Sequence, residues 1–312
     1  MEKEQGVYRI FYIGDSSVQG VVPYEENMVE IVESKLNEIY SPKEIHIEVI
    51  NTGTSSYSTL LYYLLIKEHV FDYSPDLIVV NIDMTDIPND EIYRHRLMVD
   101  EHGYPTAVLP SAAEDRERFV LTPRGTIELS IFQRVHNFLF SKMLFYRLLS
   151  KLLSPVANIS EGPFAWLPWH SEQSSSADWL SHEWNETINQ NVGFSMNIIK
   201  LIAKLVREHD VKMMLTSVPH YPQFSGTWSS KPHDVLEELA NELQIPYLNG
   251  YTALYPSIKD SEVEEFYWVS DPTHFNIKGN SIWAEAQIQF LLDHRNTLLP
   301  DALIQSNTQR DP

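Results

Sequence analysis

A serine that could act as a nucleophile follows the first apolar segment of the chain. Residues 7–13 read VYRIFYI, and the next four residues, 14–17, read GDSS. A tight turn after a buried strand would raise the hydroxyl of Ser16 to the carboxyl edge of a sheet. A serine hydroxyl is a poor nucleophile until a base takes its proton, and a third group must fix the tautomer of that base. Chemistry at Ser16 therefore requires a histidine with an acidic partner.

Asp271 and His274 form such a pair, in the sequence DPTHFNIKGN just before the last helix-like segment. Their spacing of three residues predicts that both side chains lie on one side of a single turn. Asn276 is a candidate N-cap for the helix that follows. Taken alone, each motif also has a structural explanation, because Ser16 could simply cap the next segment and Asp271 could form a surface ion pair with His274.

Metal and cofactor chemistry are not indicated. The other eleven histidines include no metal-binding spacing such as H-E-x-x-H. The absence of cysteine excludes disulfides, thiolate catalysis and Cys-ligated zinc. We therefore expect neither a metal nor a cofactor.

The charge of the chain constrains its partners. The formal net charge is -20 at pH 7, and no basic stripe is present. Such a field repels phosphate backbones, so nucleic acid is not an expected partner, and neutral or cationic small molecules or glycans fit better. A homo-oligomer remains open.

The elements that would hold these residues alternate along the chain. Strand-like runs lie at 7–13, 45–50, 76–82 and 211–218, with a weaker one at 245–249, and helix-like segments lie at about 26–40, 57–70, 190–209, 232–243 and 277–293. Alternating strands and helices predict a parallel sheet with helices on both faces. In such sheets, the carboxyl ends of the strands carry the chemistry.

The stretch 88–189 interrupts this alternation and is interpreted as an insertion. It contains a predicted β-hairpin at 94–109, a predicted long helix at 131–153 and a Trp-rich loop around 171–179. The α/β domain would then comprise 1–87 and 190–295, and 296–312 would form a C-terminal tail. The acidic N-terminus lacks a leader-like pattern and no run of 18 apolar residues occurs, which as written favours a cytoplasmic protein without a transmembrane span. A trimmed exported protein would begin in the same way.

Four short blocks together resemble the SGNH hydrolase superfamily, the GDSL-like esterases and lipases. They are GDSS after the first strand, NTG at 51–53 after the second, DMTD at 83–86 after the third, and D-x-x-H before the last helix. The G-x-S-x-G motif of α/β-hydrolases is absent. The resemblance implies a flavodoxin-like three-layer α/β/α sandwich with a parallel sheet of about five strands, and ester hydrolysis through an acyl-enzyme.

The resemblance also implies site residues. Ser16, Asp271 and His274 would be catalytic, and Ser16, Gly53 and Thr85 would form the oxyanion hole. Thr85 stands where the family has Asn, and losing one well-placed oxyanion donor typically costs about 10² to 10³ in rate. Either Asn89 or Asn81 could take over that role.

Possible substrate contacts are Asp15, Asn89, His220, Trp166 and Trp169, the tryptophans because indoles stack on sugar rings. For Asp15 a structural role in the turn is favoured over a catalytic one. The sequence thus predicts a serine esterase that removes an acetyl or short acyl group from a carbohydrate. An acyltransferase to a glycan and a non-catalytic glycan-binding protein stay open as alternatives.

Overall fold

The computed structural model describes residues 3–109 and 179–300 of the 312-residue chain. The chain divides into two compact units: one comprises Met1–His95, Val99–Thr106 and Ser174–Pro312, and the other comprises Arg96–Met98 and Ala107–Gln173. The second unit lies almost entirely outside the described residues. So do the predicted helix at 131–153, all but the last residue of the Trp-rich loop, and Trp166 and Trp169.

A five-stranded parallel sheet forms the centre of the first unit. Its strands are β1 (Val7–Ile13), β2 (His46–Asn51), β3 (Leu77–Asp83), β6 (Lys212–Val218) and β7 (Tyr247–Asn249), in the order β2-β1-β3-β6-β7. This order is that of flavodoxin-like folds. All seven residues of β3 are buried, which explains why its sequence is apolar almost throughout. The five predicted strands are confirmed.

Helices flank this sheet. The described α-helices are α1 (Ser16–Gln19), α2 (Met28–Tyr40), α3 (Thr59–Glu68), α4 (Asp86–Arg94), α5 (Glu186–Glu208), α6 (Tyr221–Phe224), α7 (Lys231–Leu243), α8 (Gly250–Ile258), α9 (Val263–Phe266), α10 (Ile277–Asp293) and α11 (Arg295–Leu298). Helix α2 packs against α10, and α3 packs against α5. The arrangement is a three-layer α/β/α fold, as predicted.

Both faces of the sheet are buried. On β1, Ile10 and Tyr12 belong to one large apolar cluster, whereas Phe11 and Ile13, which alternate with them, are equally buried but lie outside that cluster. Because successive side chains of a strand point to opposite faces, each face of the sheet has its own apolar layer. The sheet is thus held rigidly, and its carboxyl edge is a fixed platform for the loops that follow the strands.

Two smaller sheets complete the described structure. One consists of β4 (Leu97–Val99) and β5 (Pro105–Val108), and it corresponds to the hairpin predicted at 94–109. The other pairs β8 (Tyr267–Trp268) with β9 (Asp271–Phe275) in antiparallel fashion. None of the helices in the two described ranges has the length and apolar character needed to cross a membrane.

The C-terminal tail was predicted to begin at residue 296, and this boundary is wrong. Leu298 and Leu299 are both 1% exposed. Tyr8 Oη donates a hydrogen bond to the carbonyl of Leu298, and Lys212 Nζ donates to that of Leu299. Residues as far as Leu299 therefore belong to the core, because burial of two leucines outweighs the polar composition of the segment that follows them.

Candidate active site

Ser16 lies at the start of α1, directly after β1. Asp15 is the N-cap of this helix, and its Oδ1 accepts hydrogen bonds of 2.8 Å from the amide and the hydroxyl of Ser17. Gly14 allows the chain to turn tightly, since a Cβ added there would lie 2.4 Å from Val18 Cγ2. These local interactions fix the backbone on both sides of Ser16.

Ser16, His274 and Asp271 meet at the carboxyl edge of the sheet. The Ser16 Oγ lies 2.8 Å from His274 Nε2, and His274 Nδ1 lies 2.7 Å from Asp271 Oδ2. With its Nδ1 hydrogen donated to Asp271, the ring presents Nε2 as an acceptor toward the serine hydroxyl. The three side chains are therefore arranged so that a proton can pass from Ser16 to His274.

The segment that carries Asp271 and His274 is a strand, and the prediction of a single turn was wrong. Residues Asp271–Phe275 form β9, where Asp271 pairs with Trp268 of β8 at an irregularity in the register. The side chains still meet across three residues. Asn276 was predicted as the N-cap of the following helix, and this is confirmed, because its side chain accepts a hydrogen bond from the amide of Gly279.

Thr273 supports the acidic member of this group. Its hydroxyl donates to Asp271 Oδ1 at 2.6 Å, and its amide donates to the same oxygen at 3.3 Å. Partial burial by itself would raise the pKa of Asp271, but the hydrogen bonds from Thr273 and the neighbouring His274 lower it overall below its ordinary value. Asp271 therefore stays ionised at neutral pH and can stabilise a positive charge on His274.

The groups predicted for the oxyanion hole are mostly engaged within the protein. The Gly53 amide donates to Asn51 Oδ1 at 2.9 Å. Thr85 donates both its amide and its hydroxyl to Asp83 Oδ1, each at 2.8 Å. The Ser16 amide lies in the first turn of α1, where N–H groups have no acceptor within the helix.

Asn81 was considered as a replacement donor, but it is fully buried and donates to the Ser17 hydroxyl at 3.1 Å. Asn89 lies on α4 one turn after Thr85 and is half-buried. The composition of the oxyanion hole stays a prediction.

Two of the predicted substrate contacts are buried. Asp15 is 2% exposed and His220 is 1% exposed. The Nε2 of His220 lies 3.2 Å from both carboxylate oxygens of Asp83, so this ring faces a buried carboxylate and does not lie on a surface that a substrate can reach. Sequence reasoning placed His220 at the sheet edge correctly but could not foresee its pairing with Asp83, because nothing in the order of residues links β3 with the end of β6.

Among the described residues, no group of three or more His, Asp or Glu side chains is arranged to hold a metal ion.

Comparison with known proteins shows the fold. No protein-family model matches this chain, and no curated protein matches it. Among solved structures, it is similar to a mutant of an acetyl-xylooligosaccharide esterase from Geobacillus stearothermophilus at 12% identity and a TM-score of 0.51, and to a second mutant of that esterase at 11% identity and 0.52. A third, described as a catalytic mutant in which a serine is replaced by alanine, matches at 12% and 0.50. Each comparison covers 91% of this chain and 94% of the other.

Proposed function

We propose that this protein is a serine esterase of the SGNH type that removes an acetyl or short acyl group from a carbohydrate. The observation that carries the proposal is the pair of contacts at 2.8 Å and 2.7 Å that join Ser16, His274 and Asp271. A hydroxyl, an imidazole and an ionised carboxylate in this order are what nucleophilic attack by serine requires.

The reaction would proceed in two halves. His274 Nε2 takes the Ser16 proton while Oγ attacks the ester carbonyl, and Asp271 stabilises the imidazolium that forms. His274 then gives the proton to the departing alcohol oxygen, which leaves an acyl group on Ser16. Water, deprotonated by the same imidazole, attacks the acyl-enzyme, and a carboxylic acid is released as Ser16 recovers its proton.

The choice of substrate rests on the structural neighbours. Those reported above are esterases of acetylated xylo-oligosaccharides or acetylxylan, and they share the fold over almost the whole chain. A neutral acetylated sugar also suits a protein with a net charge of -20. Acetyl esters of saccharides are therefore the first substrates to test.

A second candidate, a glycan-binding protein without turnover, is favoured by one observation. The amide of Gly53 and the hydroxyl of Thr85, two of the three donors predicted for the oxyanion hole, are hydrogen-bonded to Asn51 and Asp83. Without free donors at the developing oxyanion, the rate of hydrolysis would be low.

The test is turnover of p-nitrophenyl acetate and of acetylated xylo-oligosaccharides, together with labelling by a fluorophosphonate probe. We expect Ser16→Ala to abolish labelling and to lower kcat by about 10⁶-fold, as for removal of other triad serines. Ser55→Ala is the matched control, because Ser55 is exposed and its bond to Gln19 comes from its backbone amide.

Three results would argue against the proposal. An unlabelled and inactive wild-type protein that still binds acetylated glycans would favour the binding protein. Turnover that persists in Ser16→Ala would remove Ser16 as nucleophile. Acetate gained by a free glycan, detected by mass, would indicate a transferase instead of a hydrolase.

A further inference from the structure

A small pocket opens beside the serine and histidine of the candidate site. Its empty space, counted together with the adjoining open solvent, is about 230 Å³. Its lining contains Ser16 and His274, the three apolar side chains Val21, Val218 and Phe275, and Asn280. Because that figure includes open solvent, the enclosed part is smaller still, and the pocket fits a small group better than a sugar ring.

The inner wall of the pocket is buried and firmly held. Val218, the last residue of β6, is 1% exposed, and Phe275, the last residue of β9, is 6% exposed. The ring of Phe275 packs against the ring of Tyr267, and the two ring centroids are 4.7 Å apart. Because the interior is closely packed around these side chains, the wall cannot yield to a longer chain without strain.

Asn280 ties the same wall together. It is 4% exposed, its Nδ2 donates to the carbonyl of Phe275 at 3.2 Å, and its Oδ1 accepts from the amide of Met28 at 3.3 Å. The amide side chain therefore joins β9, α10 and α2 at the pocket. Because the polar atoms of Asn280 are engaged in these hydrogen bonds, the side chains that would contact a bound group on this wall are those of Val218 and Phe275.

The outer side of the pocket is formed by the loop after α1. Gly20 has a φ of +80°, and a Cβ there would lie 2.1 Å from Asn27 Nδ2, so this position is restricted to glycine. Val21 follows it and is 47% exposed. The pocket thus has one open apolar side and one closed apolar side, with the serine and histidine between them.

We infer that this pocket receives the acyl group of the ester and limits it to acetyl, so that the alcohol departs on the solvent side. The inference rests on the proposed esterase function. A methyl group beside Val218 and Phe275 gains apolar contact, whereas each further methylene meets the closed wall. A pocket of this kind discriminates by about 10-fold or more per methylene.

The test compares acyl length at a constant leaving group. Butyrate carries two more methylenes than acetate, so we expect the wild-type kcat/KM for p-nitrophenyl acetate to exceed that for p-nitrophenyl butyrate by at least about 100-fold. Val218→Ala removes two methyl groups from the closed wall and should raise the butyrate-to-acetate ratio about 10-fold. Val21→Ala should raise the same ratio, and because Val21 is 47% exposed the variant keeps the core intact. Val79→Ala is the control, since Val79 is a buried valine of the same apolar cluster that does not line the pocket.

A second series varies the alcohol at a constant acetyl group, with 2-naphthyl acetate against p-nitrophenyl acetate. We expect this ratio to be the same in wild type, Val218→Ala and Val21→Ala. A shift in the alcohol ratio without a shift in the acyl ratio would overturn the inference, as would a wild-type protein that cleaves butyrate as fast as acetate. If Val218→Ala does not fold, Val21→Ala decides. An absence of both ester turnover and fluorophosphonate labelling would instead contradict the proposed function, and the inference with it.

Discussion

At the scale of single residues, the acidic groups beneath Ser16 are unusual. Asp15 and Asp83 are both buried, and the Thr85 hydroxyl lies 2.8 Å from Asp83 Oδ1 and 3.4 Å from Asp15 Oδ2. Burial, followed by the nearby Asp83 carboxylate, raises the pKa of Asp15 to about 7. Burial would also raise the pKa of Asp83, but His220 beside it lowers it overall. One carboxyl of the two is thus ionised, and the other holds a proton up to neutral pH.

This difference predicts a pH dependence of stability. The pKa of Asp15 rises from an ordinary value of 3.8 to about 7 on folding, so between these values the folded state binds more protons than the unfolded state. The contribution of protonated Asp15 to the free energy of unfolding is fully present below about pH 4 and is lost as the pH rises through 7. Asp15→Asn stays neutral at every pH. The difference in unfolding free energy between wild type and variant should therefore change by up to about 1.4 kcal/mol per pH unit in this window.

The measurement is urea unfolding at intervals from pH 4.5 to 7.5. Asp260→Asn serves as the control, because the side chain of Asp260 is 88% exposed, and its curve should run parallel to that of the wild type. If Asp15→Asn also runs parallel, Asp15 does not carry a proton in the folded state.

At the scale of elements, the close approach of α1 to the end of β2 holds the candidate nucleophile in place. A Cβ added to Gly53 would lie 2.1 Å from the Gln19 backbone nitrogen and 2.6 Å from the Val18 carbonyl carbon. Backbone atoms cannot move aside as side chains can. We therefore expect Gly53→Ala to displace α1, to lower the unfolding free energy by about 1–3 kcal/mol and to lower esterase activity at least about 10-fold.

Gly193→Ala is the matched control for this variant. Gly193 lies inside α5, and nothing lies within 4 Å of a Cβ built there. Alanine is the better helix former, so this change should raise stability by up to about 1 kcal/mol and leave activity unchanged. Thermal unfolding and p-nitrophenyl acetate turnover measure both effects. If Gly53→Ala and Gly193→Ala have the same unfolding temperature and the same turnover, the contact between α1 and the end of β2 does not position Ser16.

Sequence patterns predicted the central elements well because each follows from a local rule. β3 is a continuous apolar run, and α2 buries Val29, Val32 and Leu36 at helical spacing. The β8–β9 pair was missed because β8 is only two residues long, and because β9 begins with Asp271 and Pro272, two residue types that are depleted in strands. Pairing across two short segments depends on the tertiary contacts around them.

The same division holds for the candidate site. Ser16, Asp271 and His274 could be selected from residue type and from their position after predicted strands. Two sets of hydrogen bonds could not be predicted in this way: the one that Asn51 accepts from Gly53, and those that Asp83 accepts from Thr85. They depend on side-chain rotamers in loops. The sequence therefore predicted the reacting groups, but it did not predict that two of the expected oxyanion-hole donors are hydrogen-bonded within the protein.

At the scale of the whole molecule, the net charge of -20 should act on substrate choice. Asp271, whose side chain is 45% exposed, adds an ionised carboxylate at the site itself. Like charges repel over a Debye length, which is about 30 Å at 0.01 M salt and about 3 Å at 1 M. An anionic ester should consequently reach the site more slowly than a neutral one, and salt should reduce the difference.

The matched substrates are 4-acetoxybenzoate and its methyl ester, which present the same acetyl group with and without a negative charge. We expect kcat/KM for the neutral ester to exceed that for the anion at low salt, and their ratio to fall about tenfold as NaCl rises from 0.01 M to 0.5 M. The neutral ester alone should change little, which controls for effects of salt on the protein. A ratio that does not vary with salt would mean that the acidic surface is too far from the path of the substrate to act on it, and that Asp271 is fully balanced by its partners Thr273 and His274.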